Sequence, residues 1–515
     1  MNGADRLCDG LLANEVDVCF ANPGTSEMHF VAALDRKPQM RCILGLFEGV
    51  VTGAADGYAR MAGRPASTLL HLGPGLGNGL ANLHNAKRAR TPMINIVGNH
   101  ATYHRQYNAP LNSDVETLAA PMSDWVRSTE SAREIGTDLN DAWMAAVGTP
   151  GVATLILPAD TAWSDVPDAL VTRAQRPAPK PFDTASVARI RQAISKGLRV
   201  ALLLGAGALK DEALEIAGRI AAHGGVRLLC QTSVARAQRG AGRVPVSPLP
   251  YRIEAAVKAL EDVDMLVLVG DEEPVAFFAY PGRPSKPARP DAQVVDYAPP
   301  GADLREALGY LAQELGAEQA RPVLSRAEPP DVPQDGALTG ELVTQVVAAM
   351  LPDQAIVVDE SITAGWRFGE QARGAAQYDV LDLTGGAIGI GLPLSVGAAV
   401  ACPDRKVVCL QADGSGMYTL QALWTQAREQ LDVVTIIFAN RAYSTLHGEM
   451  RNVGVNDFGE NARRMLNLDT PALDWVALAK GHGVEAARAE TVAQLTQLLT
   501  AAIGRKGPFV IEAVI

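Results

Sequence analysis

Cysteine is sparse in this sequence, and its six cysteines form no recognisable pattern. They stand at positions 8, 19, 42, 230, 402 and 409, and no Cys-x-x-Cys spacing occurs. The sequence therefore indicates neither a zinc site nor a disulfide framework. We expect a reducing, cytoplasmic location for such a chain.

The sequence also lacks a long uninterrupted apolar run. Its longest apolar stretch, 388–402, is broken by Gly389, Gly391 and Pro393, so no membrane span is predicted. The N-terminal residues do not contain a basic segment followed by an apolar one, and we therefore expect no signal peptide.

Basic residues are fewer than acidic ones, 46 against 57, which gives a formal net charge of −11. This charge disfavours nucleic acid and an anionic membrane surface as partners. A small anionic substrate is compatible with it, because a pocket can be locally positive inside an acidic protein.

What the sequence does contain is a regular alternation of strand-like apolar runs and helical patterns, which is typical of parallel α/β sheets. Its 515 residues are too many for one hydrophobic core and suggest about three domains. Two proline-rich segments, 173–181 and 321–336, are predicted to be linkers. We therefore predict an α/β fold of three doubly wound domains with mainly parallel sheets, covering residues 1–170, 182–320 and 337–515. Strands are predicted at 16–20, 42–45, 67–71, 93–97, 153–157, 199–204, 227–230, 265–269, 293–296, 355–359, 406–411, 433–439 and 509–514.

The strongest chemical signal is a polar residue at the end of each of two neighbouring predicted strands. Strand 406–411 leads to Asp413 and a glycine-rich turn at 414–416, and strand 433–439 leads to Asn440. In a parallel sheet both residues lie at the carboxyl edge, where α/β folds bind ligands. The amides of the turn suit a phosphate, and the two side chains offer hard oxygen ligands for Mg²⁺. Either motif alone would be an ordinary turn or cap.

These two segments resemble the motif of thiamine-diphosphate enzymes, usually written Gly-Asp-Gly-Ser and followed further along by Asn-Asn. Ala412 replaces the first glycine and Ala439 the first asparagine, and neither change removes a metal-binding side chain. The resemblance implies that Asp413, Asn440 and the backbone carbonyl of Ala442 hold Mg²⁺ against the diphosphate of the cofactor.

Further cofactor contacts follow from the same resemblance, namely Gly386, Gly414, Ser415 and Tyr443. The segment 385–393, Gly-Gly-Ala-Ile-Gly-Ile-Gly-Leu-Pro, is similar to the one in which a bulky apolar residue holds the cofactor in a V shape. Ile388 would be that residue, and an ordinary core position is the alternative.

A glutamate near the N-terminus extends the resemblance. Glu48 follows a predicted strand, opens a helix and precedes Ala-Asp-Gly-Tyr-Ala-Arg at 55–60. By its place alone it would be a helix cap. The resemblance makes it the glutamate that hydrogen-bonds the aminopyrimidine ring and helps to remove the proton from C2 of the cofactor. In such enzymes this glutamate and the metal site come from different subunits, which implies a homodimer or homotetramer with sites between subunits.

On the substrate side, the sequence resembles benzoylformate decarboxylase and the acetolactate synthase large subunit. Residues 22–27, Asn-Pro-Gly-Thr-Ser-Glu, resemble the Asn-Pro-Gly-Ser turn of the decarboxylase, and Thr25 keeps the hydroxyl. His71 falls where that enzyme has a catalytic histidine, and a strand-end histidine satisfied by backbone is the alternative. The decarboxylase's second histidine is expected near 277–280, where this chain has none.

The activity implied by the resemblance is a thiamine-diphosphate- and Mg²⁺-dependent, non-oxidative decarboxylase or carboligase acting on 2-oxo acids. Acetolactate synthase-like carboligation and hydrolysis of a C–C bond are the alternatives. A catalytically silent, cofactor-binding homologue is the contrasting class, and retention of Glu48, Asp413 and Asn440 favours an enzyme.

Two weaker features are left open. The Gly-x-Gly within 204–208 could contact FAD, but it lacks the third glycine and a following acidic residue at the proper spacing, so FAD is disfavoured without being excluded. His100, His104 and Tyr107 follow another predicted strand at the expected mouth of the site. They are either surface residues or contacts of the substrate or a neighbouring subunit.

Overall fold

The computed structural model describes residues 1–167 and 171–515, so the expected end of the first domain at residue 170 lies outside the described residues. The chain divides into two compact units. Unit 1 comprises residues 1–177, 329–372 and 383–515, and unit 2 comprises residues 178–328 and 373–382.

The N-terminal part of unit 1 contains a six-stranded parallel sheet in the order β2-β1-β3-β4-β6-β5. Its strands are β1 (Val18–Asn22), β2 (Arg41–Leu44), β3 (Ala66–Leu70), β4 (Met93–Asn99), β5 (Trp125–Ser128) and β6 (Val152–Pro158). Its helices are α1 (Gly3–Ala13), α2 (Met28–Asp35), α3 (Glu48–Ala62), α4 (Leu72–Arg88), α5 (Val115–Ala119), α6 (Ile135–Gly148) and α7 (Ala159–Trp163). All residues of β4 and β6 are buried, as expected for parallel strands with both faces covered. The strand order reverses between β1 and β3, and such a switch point opens a crevice at the carboxyl edge of a sheet.

Unit 2 contains a second parallel sheet, in the order β10-β8-β7-β11-β12. The strands of this region are β7 (Val200–Leu204), β8 (Arg227–Cys230), β9 (Ala237–Arg239), β10 (Ser247–Pro248), β11 (Met265–Val269) and β12 (Gln293–Ala298). The helices are α8 (Val187–Ser195), α9 (Asp211–Gly224), α10 (Ile253–Leu260) and α11 (Leu304–Leu315). The short strand β9 instead pairs antiparallel with Tyr378–Asp382, a segment that unit 2 takes from further along the chain.

The C-terminal part of unit 1 contains a third sheet, in which five parallel strands follow the order β17-β18-β16-β15-β13. The strands of this region are β13 (Ala355–Glu360), β14 (Tyr378–Asp382, in unit 2), β15 (Val407–Ala412), β16 (Val433–Ala439), β17 (Glu485–Ala489) and β18 (Phe509–Val514). The helices are α12 (Gly340–Met350), α13 (Phe368–Gln371), α14 (Gly391–Ala401), α15 (Asp413–Gly416), α16 (Ala422–Arg428), α17 (Ser444–Asn452), α18 (Glu460–Leu466), α19 (Trp475–Gly481) and α20 (Val492–Ile503).

The predicted fold class is confirmed, since the protein is α/β with three mainly parallel sheets. Each strand predicted from the sequence is present with its ends moved by at most two residues. The strands that the sequence did not predict are short or polar, namely β5, β9, β10, β14 and β17. Each of the three predicted domain ranges contains the parallel strands of one sheet, whereas β9 of the middle range pairs with β14 of the last range. The domain boundaries stay a prediction.

Helices α3 and α14 cross at very short distance within unit 1. A β-carbon added at Gly57 would lie 2.1 Å from the carbonyl oxygen of Leu394, and one added at Gly397 would lie 1.8 Å from that of Ala54. Only glycine allows two backbones to approach so closely. The crossing therefore joins the N-terminal and C-terminal parts of unit 1 through direct backbone packing.

Candidate functional site

The paired strands β15 and β16 bring together the two residues that the sequence singled out most strongly. Ala412 lies opposite Phe438 in the parallel register, so Asp413 and the residues after β16 meet at one edge. Oδ2 of Asp413 accepts a hydrogen bond from the amide of Arg441 at 2.7 Å, and Asn440 directly precedes Arg441 in the chain. The predicted juxtaposition of Asp413 and Asn440 at the carboxyl edge is therefore present.

The carboxylate of Asp413 is almost completely buried, with 2% of the residue exposed. Burial raises its pKa, while the amides of Arg441 and Gly414, the latter at 2.8 Å from Oδ1, act in the opposite direction. Asn440 is held nearby, since its Oδ1 accepts the amide of Ala442 at 3.1 Å. A buried carboxylate is costly without a compensating positive charge. This donor set of carboxylate, amide oxygen and adjacent backbone carbonyl is of the kind that Mg²⁺ prefers.

The turn after Asp413 begins with the four-residue helix α15, and α16 begins only at Ala422. Aromatic rings pack against the glycines of this turn. A β-carbon at Gly414 would lie 2.6 Å from the ring of Tyr443, and one at Gly416 would lie 2.7 Å from Trp475. The glycines thus make room for these rings, and Tyr443, which the resemblance makes a cofactor contact, lies against this turn.

The segment that carries Ile388 is held from two sides. Gly389 and Gly391 donate their amides to the carboxylate of Glu360, at 2.5 and 2.6 Å. On the other side, Nδ2 of Asn85 in α4 donates to the carbonyl of Ala387 at 2.7 Å. Gly386 and Gly389 have positive φ angles of 78° and 94°, which glycine adopts without strain. Ile388 itself is only partly buried and lies outside the core, so it is free to contact a ligand.

Glu360, at the end of β13, is a buried carboxyl that the sequence did not reveal. Burial raises its pKa to about 7, against the effect of the amides that donate to it. Nε2 of Gln411 donates to Glu360 at 3.1 Å and to Oγ of Ser415 at 2.7 Å. Glu360 therefore connects the Ile388 segment with the turn after Asp413. Its contacts span more than 25 residues of sequence, so local patterns carried no signal for them.

Glu48 begins α3, as predicted, and is buried. Its Oε2 accepts a hydrogen bond from Nδ2 of Asn78 at 2.9 Å. Asn78, Asn82 and Asn85 follow one face of α4, and Nδ2 of Asn82 contacts the carbonyl oxygens of Gly49 and Gly389. Three asparagines at helical spacing were the sequence signal for this polar face, and sequence reasoning missed it.

His71 follows β3 and is paired with a carboxylate from the other side of the switch point. Its Nδ1 lies 2.8 Å from Oε2 of Glu27, whose side chain is 1% exposed. Two glycines leave space for the pair: a β-carbon at Gly24 would lie 2.2 Å from the His71 ring, and one at Gly98 would lie 1.8 Å from Oε1 of Glu27. Thr25, the other predicted residue here, is exposed at the start of a short 3₁₀ helix. The sequence had not singled out Glu27.

The loop after β4 carries the three aromatic residues noted from the sequence. The rings of His100 and His104 are 5.6 Å apart, and those of His104 and Tyr107 are 5.9 Å apart. His104 and Tyr107 are exposed, whereas His100 is partly buried. Burial, followed by the nearby His104 and His71, lowers the pKa of His100.

Three non-glycine residues with left-handed backbone stand at the carboxyl edges of these sheets. Leu72, Ile362 and Arg441 have φ angles of 50°, 53° and 55°, and each is the second residue after its strand. Such conformations cost about 1–3 kcal/mol each and cluster at functional sites in proteins. Beside Asn440, an open cavity of about 370 Å³ is lined by Thr363, Ser444 and the C-terminal Ile515, among others.

The glycine turn within 204–208 lies in unit 2 and packs tightly. A β-carbon at Gly205 would lie 2.5 Å from the carbonyl oxygen of Gly270. This close approach is a packing reason for glycine at the first position of the Gly-x-Gly.

Comparison with known proteins agrees with this arrangement. The model described as "Thiamine pyrophosphate enzyme, N-terminal TPP binding domain" matches residues 1–119, and "Thiamine pyrophosphate enzyme, C-terminal TPP binding domain" matches residues 366–513. A Mycobacterium tuberculosis protein, IlvX, provisionally named an acetolactate synthase large subunit, is 49% identical over 100% of this chain and 99% of its own. The benzoylformate decarboxylase of Pseudomonas aeruginosa is 30% identical over 96% of this chain and 95% of its own.

The chain belongs to the thiamine-diphosphate enzymes.

The fold agrees with that assignment. A solved structure of the thiamine-diphosphate-dependent 4-hydroxybenzoylformate decarboxylase of Rhodococcus jostii RHA1 superimposes with a TM-score of 0.86 and 25% sequence identity, covering 100% of this chain and 99% of that one. The protein is therefore an enzyme of the decarboxylase and acetolactate synthase kind, and thiamine diphosphate is its cofactor.

Two further properties concern the described residues alone. Over residues 1–167 and 171–515, no three histidine, cysteine, aspartate or glutamate side chains group into a metal site. Among the helices that the structure describes, none has the length and apolar character needed to cross a membrane.

Proposed function

We propose that this enzyme is Mg²⁺-dependent and decarboxylates a 2-oxo acid, with chemistry similar to that of benzoylformate decarboxylase. The observation that carries the proposal is the His71–Glu27 pair at the switch point of the first sheet. A histidine whose Nδ1 is held by a buried carboxylate keeps its other nitrogen for proton transfer, which is the arrangement of a general acid or base.

The residues of the third sheet fit the cofactor. Asp413, Asn440 and the carbonyl of Ala442 would hold Mg²⁺, which takes oxygen ligands and phosphate oxygens together. Gly386, Gly414, Ser415 and Tyr443 would contact the cofactor, and Ile388 would support its bent shape. When bound, thiamine diphosphate supplies a nucleophilic carbon and accepts the electron pair that decarboxylation leaves behind.

Individual side chains have separate tasks in this proposal. Glu48, held by Asn78, would hydrogen-bond the aminopyrimidine ring of the cofactor and share a proton with it. His71 orients the substrate carboxylate and moves a proton, and Glu27 fixes the orientation of its ring. Thr25 offers a hydroxyl from the neighbouring turn.

Carboligation of the acetolactate synthase kind is the second candidate, because the provisionally named mycobacterial relative is 49% identical over the whole chain. The two activities differ in the acceptor, which is a proton in decarboxylation and a second oxo acid in carboligation. Product identification separates them.

We further propose that two copies of the chain complete each site, as a homodimer or homotetramer in the cytoplasm. Large apolar side chains near the proposed site support this, since Leu46, Tyr418 and Trp366 are 46%, 54% and 74% exposed. Exposed apolar surface of this kind is often covered by a second protein chain.

The purified protein should be colourless, because Gly205 has a packing role and the turn lacks the remaining features of a dinucleotide site. An absorption spectrum checks this expectation. A flavin spectrum from the washed, denatured protein would instead favour an FAD-containing, acetolactate synthase-like enzyme.

The proposed function is tested by supplying the enzyme with thiamine diphosphate, Mg²⁺ and a panel of 2-oxo acids that includes pyruvate, 2-oxobutyrate, 2-oxoisovalerate, benzoylformate and 4-hydroxybenzoylformate. We expect CO₂ release with at least one acid, and mass spectrometry then shows whether an aldehyde or a longer hydroxy-oxo acid is formed. The Asp413→Ala variant is the control for contaminating activity. Absence of CO₂ and of carboligation products with the whole panel would contradict the proposal.

A further inference from the structure

His71 and His100 follow two strands that lie side by side in the first sheet. β3 and β4 are parallel, with Leu70 opposite Val97. His71 comes directly after Leu70, and His100 comes directly after Asn99, the last residue of β4. Both imidazoles therefore start from the same carboxyl edge, which is where α/β folds bind ligands.

The backbone around His100 is fixed on both sides of the residue. Its amide donates to Oδ1 of Asn99 at 2.8 Å. Two residues later, the amide and hydroxyl of Thr102 donate to the two carboxylate oxygens of Asp160, at 2.9 and 2.5 Å. The backbone that carries the ring is thus held before a ligand arrives, which reduces the ordering cost of binding.

The ring of His100 presents a polar atom that needs a partner. In the part of the chain that the structure describes, its Nε2 is buried and makes no hydrogen bond. Burial lowers the pKa of His100, which favours the neutral imidazole. A buried polar atom of this kind destabilises the protein unless a hydrogen-bonding group meets it, so it marks a place where a polar group of a ligand fits.

His71 also has a ring nitrogen, Nε2, that remains available for a ligand. Its Nδ1 is occupied by Glu27 at 2.8 Å, so Nε2 is the nitrogen that faces a ligand. The two histidines differ in their surroundings, since His71 has a carboxylate partner, whereas the ring of His100 lies 5.6 Å from the ring of His104. This asymmetry suits one residue for proton transfer and the other for binding.

We infer that His100 is a substrate-binding residue whose Nε2 donates a hydrogen bond to a carboxylate oxygen of the 2-oxo acid beside His71. The inference rests on the proposed function, because it requires a 2-oxo acid in this site. It assigns a second contact of the carboxylate to the loop after β4, beside His71, which orients the carboxylate and moves the proton. Aldehydes lack the carboxylate, so His100 does not contribute a hydrogen bond to their binding.

The test uses three variants of the enzyme loaded with thiamine diphosphate and Mg²⁺. His100→Leu removes Nε2, and His100→Gln keeps an N–H donor at a similar reach from the backbone. His104→Leu is the matched control, because its ring is on the same loop but exposed.

We expect KM for the preferred 2-oxo acid to rise about ten- to a hundredfold in His100→Leu, the usual range for a hydrogen bond to a charged group. KM should remain close to the wild-type value in His100→Gln and in His104→Leu. Cofactor affinity and the exchange of the C2 proton into deuterated water should be unchanged in all three variants, because neither step involves His100. Thermal midpoints verify that each variant is folded.

Binding without turnover separates this inference from the proposed function. The five 2-oxo acids of the panel are titrated by calorimetry into protein loaded with a cofactor analogue that carries oxygen at C2 and cannot react. If the wild type binds none of them, the proposed function fails and the inference fails with it. If the wild type binds an acid and His100→Leu binds it equally well, the inference alone is overturned. Equal weakening in His104→Leu, or no recovery in His100→Gln, also overturns it.

Discussion

Asp413 is the single side chain on which the metal site depends most. It is buried and supplies the carboxylate charge of the proposed Mg²⁺ ligand set. We expect Asp413→Ala to weaken thiamine-diphosphate binding by roughly 100-fold or more, since even residues that only support metal ligands contribute about 10–100-fold. Calorimetric titration of the cofactor at constant Mg²⁺ measures this loss. The exposed Asp404→Ala is the control, and an unchanged affinity in Asp413→Ala would refute the metal assignment.

Glu360 makes the stability of the protein depend on pH. Its pKa is raised from 4.5 to about 7 by burial. Between these values the folded chain carries a proton on Glu360 that the unfolded chain has already released. The stabilisation is therefore complete below pH 4.5, and the free energy of unfolding falls by up to about 3 kcal/mol as pH rises through 7.

The variant Glu360→Gln removes this titration. We expect the difference in thermal midpoint, wild type minus Glu360→Gln, to be larger at pH 5.5 than at pH 8. Both proteins are measured without cofactor. Glu370→Gln, at an exposed position, should show no such change with pH. Parallel pH curves for the wild type and Glu360→Gln would show that Glu360 does not titrate in this window.

At the scale of helices and strands, the crossing of α3 and α14 is the most sensitive feature of unit 1. Gly397→Ala places a β-carbon where the carbonyl oxygen of Ala54 stands, so the helices must move apart. We expect a loss of at least about 1–3 kcal/mol, the usual cost of overpacking a core. Gly448→Ala in α17 is the matched control, because its β-carbon would meet nothing within 4 Å. That variant should be neutral or more stable by about 0.5–1 kcal/mol, and differential scanning calorimetry compares the two.

The elements also show which parts of the molecule a sequence can predict. Apolar buried strands such as β4 and β16 were predicted because their composition alone is typical of parallel sheets. β17, Glu485–Ala489, was missed because its alanines and charged residues favour a helix, and pairing with β18 decides its structure instead.

The same reasoning applies to the site. Asp413 and Asn440 could be predicted together because they end adjacent strands of one βαβ unit, whose geometry is fixed. The pair of His71 and Glu27 could not, because it depends on the strand order at the switch point. The contacts of Glu360 likewise depend on how a distant glycine segment folds back onto β13.

For the whole molecule, the proposed sharing of sites between subunits has a direct consequence. If Glu48 and Asp413 serve one site from different chains, mixing the inactive variants Glu48→Ala and Asp413→Ala should restore part of the activity, because exchange creates sites with both residues intact. About one quarter of the wild-type activity is the upper limit expected for random dimers that exchange freely. Native mass spectrometry confirms that exchange has occurred. Exchange without recovery would show that each chain completes its own site.

The close crossing of α3 and α14 also affects how the chain folds while it is synthesised on the ribosome. Helix α3 ends at residue 62, and its partner α14 begins at residue 391, so about 330 residues are synthesised between them. At a synthesis rate of about 5–20 residues per second, α14 appears roughly 15 to 65 seconds after α3, and the apolar face of α3 is uncovered until then. During that interval the nascent N-terminal sheet presents an uncovered apolar helix, which is the kind of surface that chaperones bind.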